Sequence, residues 1–382
     1  MNPVIVIGSG LAGITTIREF RKLDAKTPVL LITADDGDFY SKPALSNALA
    51  QGKSAEQLVV TPAATLCESL NVTLLARTDV QGVRTTEHVV DTRHGALPYS
   101  KLVLALGADP IRLPLGGNAA QDVVSVNDID DYRLFRNRLR AVRHVAILGG
   151  GLIGSEFAND LAGAGFAVTV IDPSPYPIAG LLPPAAGEVL RTALETQGVH
   201  WRLHRTVKNV ESVVGGYLLT LDDGSQLQAD LVLSAVGLRP RTALARDAGL
   251  TVNRGIVTDS TLRTSAPDVY AIGDCAETGG QVRPFVLPIM TAARALAQTL
   301  AGRAAEVVFP FMPVVIKTPA CPLVVQPVAR DAQGEWHTET ASAGMRMLFT
   351  DADRRVQGMV LTGSRVSERA ALARQLGLPL AP

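Results

Sequence analysis

The chain has 382 residues, of which 47% are hydrophobic and 19% are charged, as in an ordinary globular protein. This length exceeds what one hydrophobic core supports and predicts two or three domains. The 36 basic residues balance the 36 acidic ones, so nothing global attracts nucleic acid or an anionic membrane. The sequence has no run of about 18 apolar residues, so it predicts no transmembrane helix.

The N-terminal residues and the cysteines indicate where in the cell the protein is located. A predicted strand begins within three residues of Met1, which leaves no room for a signal or transit peptide. The three cysteines are scattered, and neither they nor the six histidines show metal-ligand spacing. A sparse, odd set of cysteines is typical of reduced thiols. We therefore expect a cytoplasmic protein without a metal site.

The first predicted strand ends in a glycine motif. Val4–Ile7 is an apolar, mostly β-branched run, and Gly8, Gly10 and Gly13 follow it in the pattern GxGxxG. In such a loop the first glycine allows a tight turn, the second lets backbone approach a pyrophosphate, and the third permits close helix–strand packing. The N–H groups at the start of the following helix favour a phosphate.

The segments after this motif strengthen its interpretation. A helix is predicted from Ile14 to Lys22, and a second strand, Val29–Thr33, ends near Asp35. A glycine motif alone is a weak signal, but this one lies in a strand–turn–helix–strand sequence. The context predicts a dinucleotide site rather than a glycine-rich turn without a ligand.

The next hundred residues lead to a linker and an arginine-rich helix. Pro43 is placed to open a helix at Ala44–Ala50. A buried strand over 102–107 stops at glycine and proline, and residues 112–121 are typical of a linker. The helix predicted over 128–143 carries arginines on all sides, which favours a solvated surface over a docking patch.

The opening pattern then returns. His144–Leu148 is a second apolar strand, followed by Gly149, Gly151 and Gly154 in the same GxGxxG spacing. A helix to about residue 163 and a strand ending at Asp172 complete the unit. The repeat indicates a duplicated nucleotide-binding unit rather than a solenoid.

Asp172 favours one nicotinamide nucleotide. A carboxylate at the end of this strand accepts hydrogen bonds from the adenosine ribose and repels a 2′-phosphate. The following residues 173–179 contain no lysine or arginine to hold that phosphate. The sequence therefore predicts NADH rather than NADPH as the reductant.

The last third of the chain changes character twice. A strand over 231–237 ends in glycine, and a short strand near Tyr270 ends in Gly273 and Asp274. An alanine-rich helix is predicted over 291–302. From Phe309 onward, short strands and a closing helix predict a third, α+β domain of about 70 residues, within the usual domain size.

These motifs together resemble those of the FAD-dependent pyridine nucleotide oxidoreductases built like glutathione reductase. The resemblance covers essentially the whole chain. It rests on the segments Gly8–Gly13, Ala105–Ala108, Gly149–Gly154, Ala235–Pro240 and Tyr270–Asp274. It implies an α/β fold with two Rossmann-like, three-layer ββα/βαβ domains, for FAD and NAD, and a small α+β C-terminal domain. The implied domains are 1–112 with 240–308 for FAD, 113–239 for NADH, and 309–382.

The resemblance also implies the cofactor-binding residues, with FAD held tightly but non-covalently. In this family the first motif binds FAD, and Asp274 binds the ribityl hydroxyls. The expected FAD-side residues are Gly8, Ser9, Gly10, Leu11, Ala12, Gly13, Ala34, Asp35, Lys42, Val80, Ala105, Gly107, Gly273, Asp274, Val286 and Lys317. The expected NADH-side residues are Gly149, Gly151, Leu152, Ile153, Gly154, Glu156, Asp172 and Gly237.

Three of these expectations carry specific roles. Family members commonly have an acid at the end of the second strand, whereas here Asp35 comes one step later, so either Asp35 or the Ala34 backbone holds the FAD ribose. A lysine beside the flavin ring, such as Lys42 or Lys317, stabilises the negative charge of reduced flavin. No side chain is expected to act as a general acid or nucleophile, because the cofactor carries the chemistry.

A missing cysteine pair narrows the choice within the family. Disulfide reductases carry C-x4-C on the helix after the first unit, but residues 43–49 contain no cysteine. Electrons then leave the flavin directly. The runs 35–46, 149–160 and 315–324 are most similar to NADH–rubredoxin reductases. The resemblance implies hydride transfer from NADH, with Glu156 helping to place the nicotinamide, and single-electron transfer to rubredoxin.

The resemblance favours rubredoxin as the electron acceptor and leaves two alternative functions open. Rubredoxin is small and acidic, so a local basic rim is expected, with Arg283 and Lys317 as candidates. Such a reductase supplies a rubredoxin-dependent oxygenase, as in alkane hydroxylation, or an oxygen-reducing system. The first alternative is a ferredoxin reductase of an oxygenase or cytochrome P-450 system. The second is a redox-sensing, NADH-binding flavoprotein. A monomer is expected.

Overall fold

The computed structural model describes residues 1–309, 311–329, 331–342 and 344–375. The strands are, in chain order, β1 Val4–Ile7, β2 Val29–Ile32, β3 Phe39–Tyr40, β4 Val59–Thr61, β5 Thr73–Leu75, β6 Val80–Arg84, β7 Val89–Thr92, β8 Gly95–Pro98, β9 Lys101–Leu104, β10 Ala108–Pro110, β11 His144–Leu148, β12 Ala167–Asp172, β13 Val199–Leu203, β14 Val207–Val213, β15 Gly216–Leu221, β16 Gln226–Ala229, β17 Leu231–Ser234, β18 Leu238–Pro240, β19 Ile256–Thr258, β20 Val269–Ala271, β21 Ala276–Thr278, β22 Val314–Ile316, β23 Leu323–Gln326, β24 Glu335–Ala341, β25 Gly344–Thr350 and β26 Val356–Thr362.

The α-helices are α1 Leu11–Arg21, α2 Ala55–Leu58, α3 Ala63–Leu70, α4 Ile129–Arg138, α5 Leu152–Gly163, α6 Pro184–Thr196, α7 Ala243–Asp247, α8 Val286–Leu300 and α9 Arg369–Gln375. Short 3-10 helices cover Lys42–Asn47, Ala120–Asp122, Leu139–Ala141, Gly273–Cys275 and Gly363–Glu368. Within the described ranges, no helix combines the length and apolarity that crossing a membrane requires.

The first sheet is parallel and has the strand order β20-β9-β1-β2-β5. All four residues of β1 are buried, as expected for an apolar strand in a sheet covered on both faces. Residues of α1 and α8 pack on one face, and residues of the β6–β7–β8 meander pack on the other. The result is a three-layer unit.

The second sheet repeats this arrangement. It is parallel, with the order β13-β12-β11-β17. Helices α5 and α6 contribute to the core on one face, and the β14–β15–β16 meander contributes to the core on the other. The predicted α/β class with two Rossmann-like, three-layer units is confirmed.

A two-stranded connection joins the two units. Strand β10, which leaves the first unit, pairs antiparallel with β18, which leads back to it. Ala108 lies opposite Pro240, and Pro110 lies opposite Leu238. The chain then returns to the first sheet as β20 beside β9. The division of the chain into separate domains near residues 112, 239 and 308 stays a prediction.

The C-terminal residues form an antiparallel sheet with the order β22-β23-β26-β25-β24. Side chains of β25 alternate between buried and partly exposed, with Met345, Met347 and Phe349 pointing inward. This period of two is that of a strand with one covered face. Strand β22 lies at the edge of the sheet, which matters for the site described below.

One hydrophobic core runs through all three parts of the molecule. It contains Leu45 of the first unit, Phe135 and Phe157 of the second, and Ile316 of the C-terminal sheet. The rings of Phe135 and Phe157 meet edge to face, with centroids 5.8 Å apart. Helix α5 therefore packs on its own sheet and also contributes to a core shared with the other two parts.

Two predicted helices differ from those observed. The helix expected at 44–50 is a 3-10 helix over Lys42–Asn47. The backbone N–H groups of Leu49 and Ala50 donate to the Asp160 carboxylate, so they do not continue a helical ladder. The helix expected to end at residue 143 changes to a 3-10 turn after Arg138.

Other elements carry too weak a pattern to be predicted. Strand β24 is exposed along most of its length, so its residues lack the alternation that indicates a half-buried strand. Helices α2 and α3 have only 4 and 8 residues, which is shorter than a typical helix.

Candidate functional site

The first glycine motif makes the turn between β1 and α1. Gly8 has a φ of +113°, and a Cβ there would lie 2.2 Å from the Ala105 carbonyl oxygen. A Cβ on Gly13 would lie 2.0 Å from the Gly8 carbonyl oxygen, whereas a Cβ on Gly10 would meet nothing within 4 Å. The protein's own packing thus requires Gly8 and Gly13. Gly10 faces open space that lets a ligand approach the backbone.

The second motif repeats this geometry. Gly149 has a φ of +99°, and its Cβ would lie 2.7 Å from the Ala235 carbonyl oxygen. A Cβ on Gly154 would lie 1.9 Å from the Gly149 carbonyl oxygen, and one on Gly151 would meet nothing within 4 Å. The first turns of α1 and α5 contain the predicted residues Leu11, Ala12, Leu152 and Ile153. Both motifs therefore present a free helix N-terminus beside an open glycine.

Asp35 reaches the first motif although it lies beyond the end of β2. Its carboxylate accepts hydrogen bonds from the Ser9 hydroxyl at 2.7 Å, the Thr33 hydroxyl at 2.6 Å and the Gly37 N–H at 2.9 Å. Ala34 is exposed. These donors hold the Asp35 carboxylate against Ser9 of the motif, and its contact with a ribose hydroxyl stays a prediction.

Asp172 occupies the matching place in the second unit. Its carboxylate accepts from the Gly150 N–H at 2.5 Å and from the Ser174 N–H at 2.7 Å. The residue is only 8% exposed. The two backbone donors fix the carboxylate beside the motif, so its remaining lone pairs can accept from a ribose.

Lys42 and Asp274 lie close enough to influence each other. Gly273 has a φ of +82°, and a Cβ there would lie 2.7 Å from the Ala12 side chain. The turn before Asp274 therefore packs directly against the start of α1. Burial raises the pKa of Asp274 and lowers the pKa of Lys42, and the attraction between the two opposes both changes. Two partly buried groups of opposite charge, which form no direct ion pair, therefore lie beside the first motif.

Glu156 connects three segments of the chain. Its carboxylate is 2% exposed. It accepts hydrogen bonds from the Ser46 hydroxyl at 2.5 Å and from the Lys317 N–H at 2.9 Å, and it forms an ion pair with the Lys317 ammonium. The side chain predicted to place the nicotinamide is thus held by the turn at residue 46 and by the segment after β22.

The same face of α5 makes further contacts that sequence reasoning missed. The Asp160 carboxylate accepts from the N–H groups of Leu49 and Ala50, each at 2.9 Å, and the Asn159 side chain accepts from the Ala320 N–H at 3.1 Å. Burial raises the pKa of Asp160, and the two N–H donors oppose this. Glu156, Asn159 and Asp160 share one face of a helix that is otherwise mostly apolar, and this spacing is the sequence pattern that could have indicated a polar contact surface.

Four other predicted residues lie at the ends of strands and helices. Val80 begins β6. Gly107 and Gly237 have φ values of +72° and +109° and precede the paired strands β10 and β18. Val286 is the first residue of α8 and is 38% exposed. Their cofactor contacts stay predictions.

The two candidates for a basic rim both bind groups of this chain. The Arg283 guanidinium lies 4.3 Å from the centre of the Phe309 ring and donates to the Thr278 carbonyl at 2.9 Å. Burial lowers the pKa of Arg283. Lys317 pairs with Glu156, whereas Arg283 contacts a carbonyl and a ring; the part of either residue in a basic rim stays a prediction.

The cysteines lie in packed surroundings. The Cys275 thiol donates to the carbonyl groups of Leu104 and Ile272, at 3.4 Å each, and burial raises its pKa to about 11. Burial also raises the pKa of Cys321 to about 11. Among the residues described, no cysteine forms a disulfide, and no cluster of histidine, cysteine and acidic side chains could hold a metal ion.

Comparison with known proteins now gives the family. Residues 2–299 match the family model described as pyridine nucleotide-disulphide oxidoreductase. The chain belongs to this family. Residues 306–376 match a model described as the rubredoxin binding C-terminal domain. Membership implies FAD and a nicotinamide nucleotide in general terms, and it confirms the resemblance on which the fold was predicted.

Individual relatives cover nearly the full length. The chain is 48% identical to the rubredoxin-NAD(+) reductase of Alcanivorax borkumensis, covering 98% of this chain and 99% of the relative. It is 44% identical to the protein of the same name from Acinetobacter baylyi, covering 100% and 99%. It is 40% identical to the nitric oxide reductase FlRd-NAD(+) reductase of Escherichia coli strain 536, covering 99% and 100%.

Solved structures show the same fold. Putidaredoxin reductase, in its covalent complex with putidaredoxin, matches with a TM-score of 0.88 at 26% identity, covering 97% of this chain and 92% of that one. The NADH:rubredoxin oxidoreductase of Clostridium acetobutylicum matches with a TM-score of 0.80 at 18% identity, covering 98% and 93%. At the lower identity the likeness concerns the fold alone.

The two kinds of glycine in this oxidoreductase should respond differently to alanine. Gly154→Ala places a methyl group against the Gly149 carbonyl, so we expect a lower melting temperature or loss of soluble protein. Gly151→Ala meets no protein atom, so we expect an unchanged melting temperature and at least a tenfold higher KM for NADH. Thermal melts and steady-state kinetics measure both effects.

Gly10→Ala and Gly13→Ala provide the matched pair in the first motif. The same reasoning predicts weaker FAD retention without loss of folding for the first, and loss of folding for the second. Equal effects of Gly151→Ala and Gly154→Ala on stability would contradict this division of the glycines.

Proposed function

We propose that the protein takes a hydride from NADH onto tightly but non-covalently bound FAD and passes single electrons to rubredoxin. One observation carries the proposal: Glu156, which follows the NADH-side motif, binds Ser46 of the flavin-side turn and Lys317 of the C-terminal segment. Two dinucleotide units and a third domain thus meet at one residue. With no cysteine in residues 43–49, electrons have no disulfide to pass through.

The residues of the first unit fit FAD. Gly10 leaves space for a pyrophosphate at the start of α1, Asp35 is oriented for the ribose, and Asp274 is available for ribityl hydroxyls. Lys42 is mostly buried, yet its ammonium makes only one hydrogen bond within the described residues, to Asn127. An ammonium has three N–H donors, so two remain for a ligand.

The second unit fits NADH. The Asp172 carboxylate lies beside Gly150 and is held by two backbone donors. It would accept from the ribose hydroxyls and would repel a 2′-phosphate, and residues 173–179 supply no cation to offset that repulsion. This arrangement supports NADH as the reductant.

Each side chain near the junction has a separate task. Bound FAD supplies the redox chemistry, since it accepts a hydride and can release electrons singly. Lys42 provides a positive charge in a region of low polarity, where it stabilises a developing negative charge. Glu156 would orient the nicotinamide and keep the two units in register, and Asp274 would fix the ribityl chain.

Rubredoxin as the acceptor is supported by the C-terminal residues. Residues 306–376 match the rubredoxin binding domain, and two relatives that are 44% to 48% identical carry the name rubredoxin-NAD(+) reductase. The pathway served would be a rubredoxin-dependent oxygenase, as in alkane hydroxylation, or an oxygen-reducing system. We also propose a cytoplasmic monomer with the domain limits given above.

A ferredoxin is the second candidate acceptor. The matching putidaredoxin reductase was solved in covalent complex with putidaredoxin. The chain shares that fold, so the same core could serve a different carrier if the docking surface differed. The choice between the two carriers is made by the experiment below.

Acceptor choice tests the proposed function. The purified holoenzyme is reduced anaerobically with NADH and then mixed with oxidised rubredoxin or with a 2Fe–2S ferredoxin. We expect bleaching of the flavin by NADH, followed by fast rubredoxin reduction with a kcat/KM at least tenfold above that for ferredoxin. The absorbance of each iron centre reports the transfer.

Other outcomes of that experiment would overturn the proposal in different ways. A preference for ferredoxin would favour the second candidate. Slow transfer to both carriers, with a long-lived complex between reduced flavin and oxidised nicotinamide, would favour a redox-sensing protein.

Charge at Asp172 should control the choice of nicotinamide. Hydrogen bonds to a charged group contribute about 1.5–3 kcal/mol, so Asp172→Ala should lower kcat/KM for NADH about 10- to 100-fold. Asp172→Asn keeps an acceptor for the Gly150 N–H but removes the charge, so it should narrow the NADH/NADPH preference mainly by improving NADPH. Steady-state kinetics with both nucleotides measure this, and an unchanged ratio in both variants would contradict it.

A further inference from the structure

The two lysines that the sequence places near the flavin have different surroundings. The Lys317 ammonium is paired directly with the Glu156 carboxylate, which neutralises its charge. Lys42 forms no ion pair within 4 Å among the residues that the structure describes. The carboxylates of Asp274, Asp128 and Asp109 act on it only through space, and Arg241 acts against them.

Asn127 is the direct partner of Lys42. Its side-chain oxygen accepts a hydrogen bond from the Lys42 Nζ at 3.1 Å, although the two residues are 85 positions apart. Asn127 is 6% exposed. This bond joins the flavin-side turn to the segment that precedes α4, a segment attached to the second sheet through Val124 and Leu233.

Asn127 is itself held from two other directions. Its side-chain NH2 donates to the Ala108 carbonyl at 3.0 Å, and its backbone N–H donates to the Asp131 carboxylate at 2.9 Å. Because Lys42 is a donor and the Ala108 carbonyl is an acceptor, together they fix which end of the amide faces which partner. The amide thus connects the first residue of β10 to the Lys42 ammonium.

An asparagine suits this position better than an acid. A carboxamide accepts from the ammonium and donates to the carbonyl at the same time, whereas an ionised aspartate could not donate. It also carries no charge, so it fixes Lys42 without cancelling its field. At low local polarity a cation without a direct ion-pair partner acts strongly on a nearby anion.

We propose that Asn127 is a positioning residue that holds the Lys42 ammonium, which forms no direct ion pair among the described residues, toward the flavin and thereby raises the reduction potential of the bound FAD. The inference rests on the proposed function in that it places Lys42 beside the flavin. It does not depend on which carrier accepts the electrons, and it assigns Lys317 a structural rather than an electrostatic role.

The test is the midpoint potential of the bound flavin, measured by anaerobic titration with mediator dyes. Asn127→Leu removes both side-chain bonds at similar volume. We expect at least a tenfold loss in the preference for reduced over oxidised flavin, which is about 30 mV more negative for a two-electron couple. Asn127→Asp keeps the acceptor but cancels the charge, and we expect a shift in the same direction.

A double-mutant cycle separates positioning from a general structural effect. Lys42→Met should lower the potential, and in that background Asn127→Leu should cause no further shift. Asn118 lies in the same stretch between β10 and α4, is exposed, and accepts from the Ser212 N–H. Asn118→Leu is therefore the matched control, for which we expect the wild-type potential. If Asn127→Leu does not fold, Asn127→Asp carries the test.

Failure of this inference is distinguishable from failure of the proposed function. If the wild-type protein binds FAD and is reduced by NADH, but the Asn127 variants keep the wild-type potential, the inference is wrong and the function stands. Additive shifts from Lys42→Met and Asn127→Leu would also overturn it. If the cycle behaves as expected but rubredoxin is not reduced, the inference stands and the proposed acceptor is wrong.

Discussion

One buried carboxylate, that of Glu156, sets the relative positions of the three parts of this molecule. It follows the second glycine motif on α5, and it binds Ser46 in the first unit and Lys317 in the C-terminal segment. A carboxylate that is 2% exposed is costly to bury unless it is paired and hydrogen-bonded. Each partner must therefore stay in place to satisfy it. The hydrophobic core that runs through Leu45, Phe157 and Ile316 stabilises the same arrangement, but apolar contacts are not directional, unlike the hydrogen bonds to Glu156.

The two lysines near this junction differ in whether their direct partner is charged. Lys317 is neutralised where it stands, so its contribution is to connect the C-terminal segment to α5. Lys42 is held by the uncharged amide of Asn127, so its field remains available to a ligand. Because the chain has no net charge, the electrostatics that matter for electron transfer are local ones of this type. A reductase with no disulfide relay depends on the flavin's own potential, and the surrounding charges set that potential.

The sequence predicts the parts of the site that are local and leaves out those that are not. Motif spacing within one strand–turn–helix unit predicts the open space at Gly10 and the close packing at Gly154, and the repeat of the unit indicates two nucleotides. The bonds of Ser46 and Asn127 cross 110 and 85 positions, and no periodicity in a single sequence connects such residues. The sequence predicts an α-helix where the structure has a 3-10 helix over 42–47 for the same reason, because the carboxylate that binds the N–H groups following it comes from α5.

Hydride transfer in a Glu156→Gln variant tests the central claim most directly. Glutamine keeps the shape of the side chain and an acceptor for the Lys317 N–H, but it removes the charge that pairs with the ammonium. In anaerobic stopped-flow experiments at saturating NADH, we predict that the variant still binds FAD but is reduced at least tenfold more slowly, a barrier increase of about 1.4 kcal/mol. Glu195→Gln, an exposed change in an ion pair with Arg191, should keep the wild-type rate. Reduction of Glu156→Gln at the wild-type rate would contradict the account.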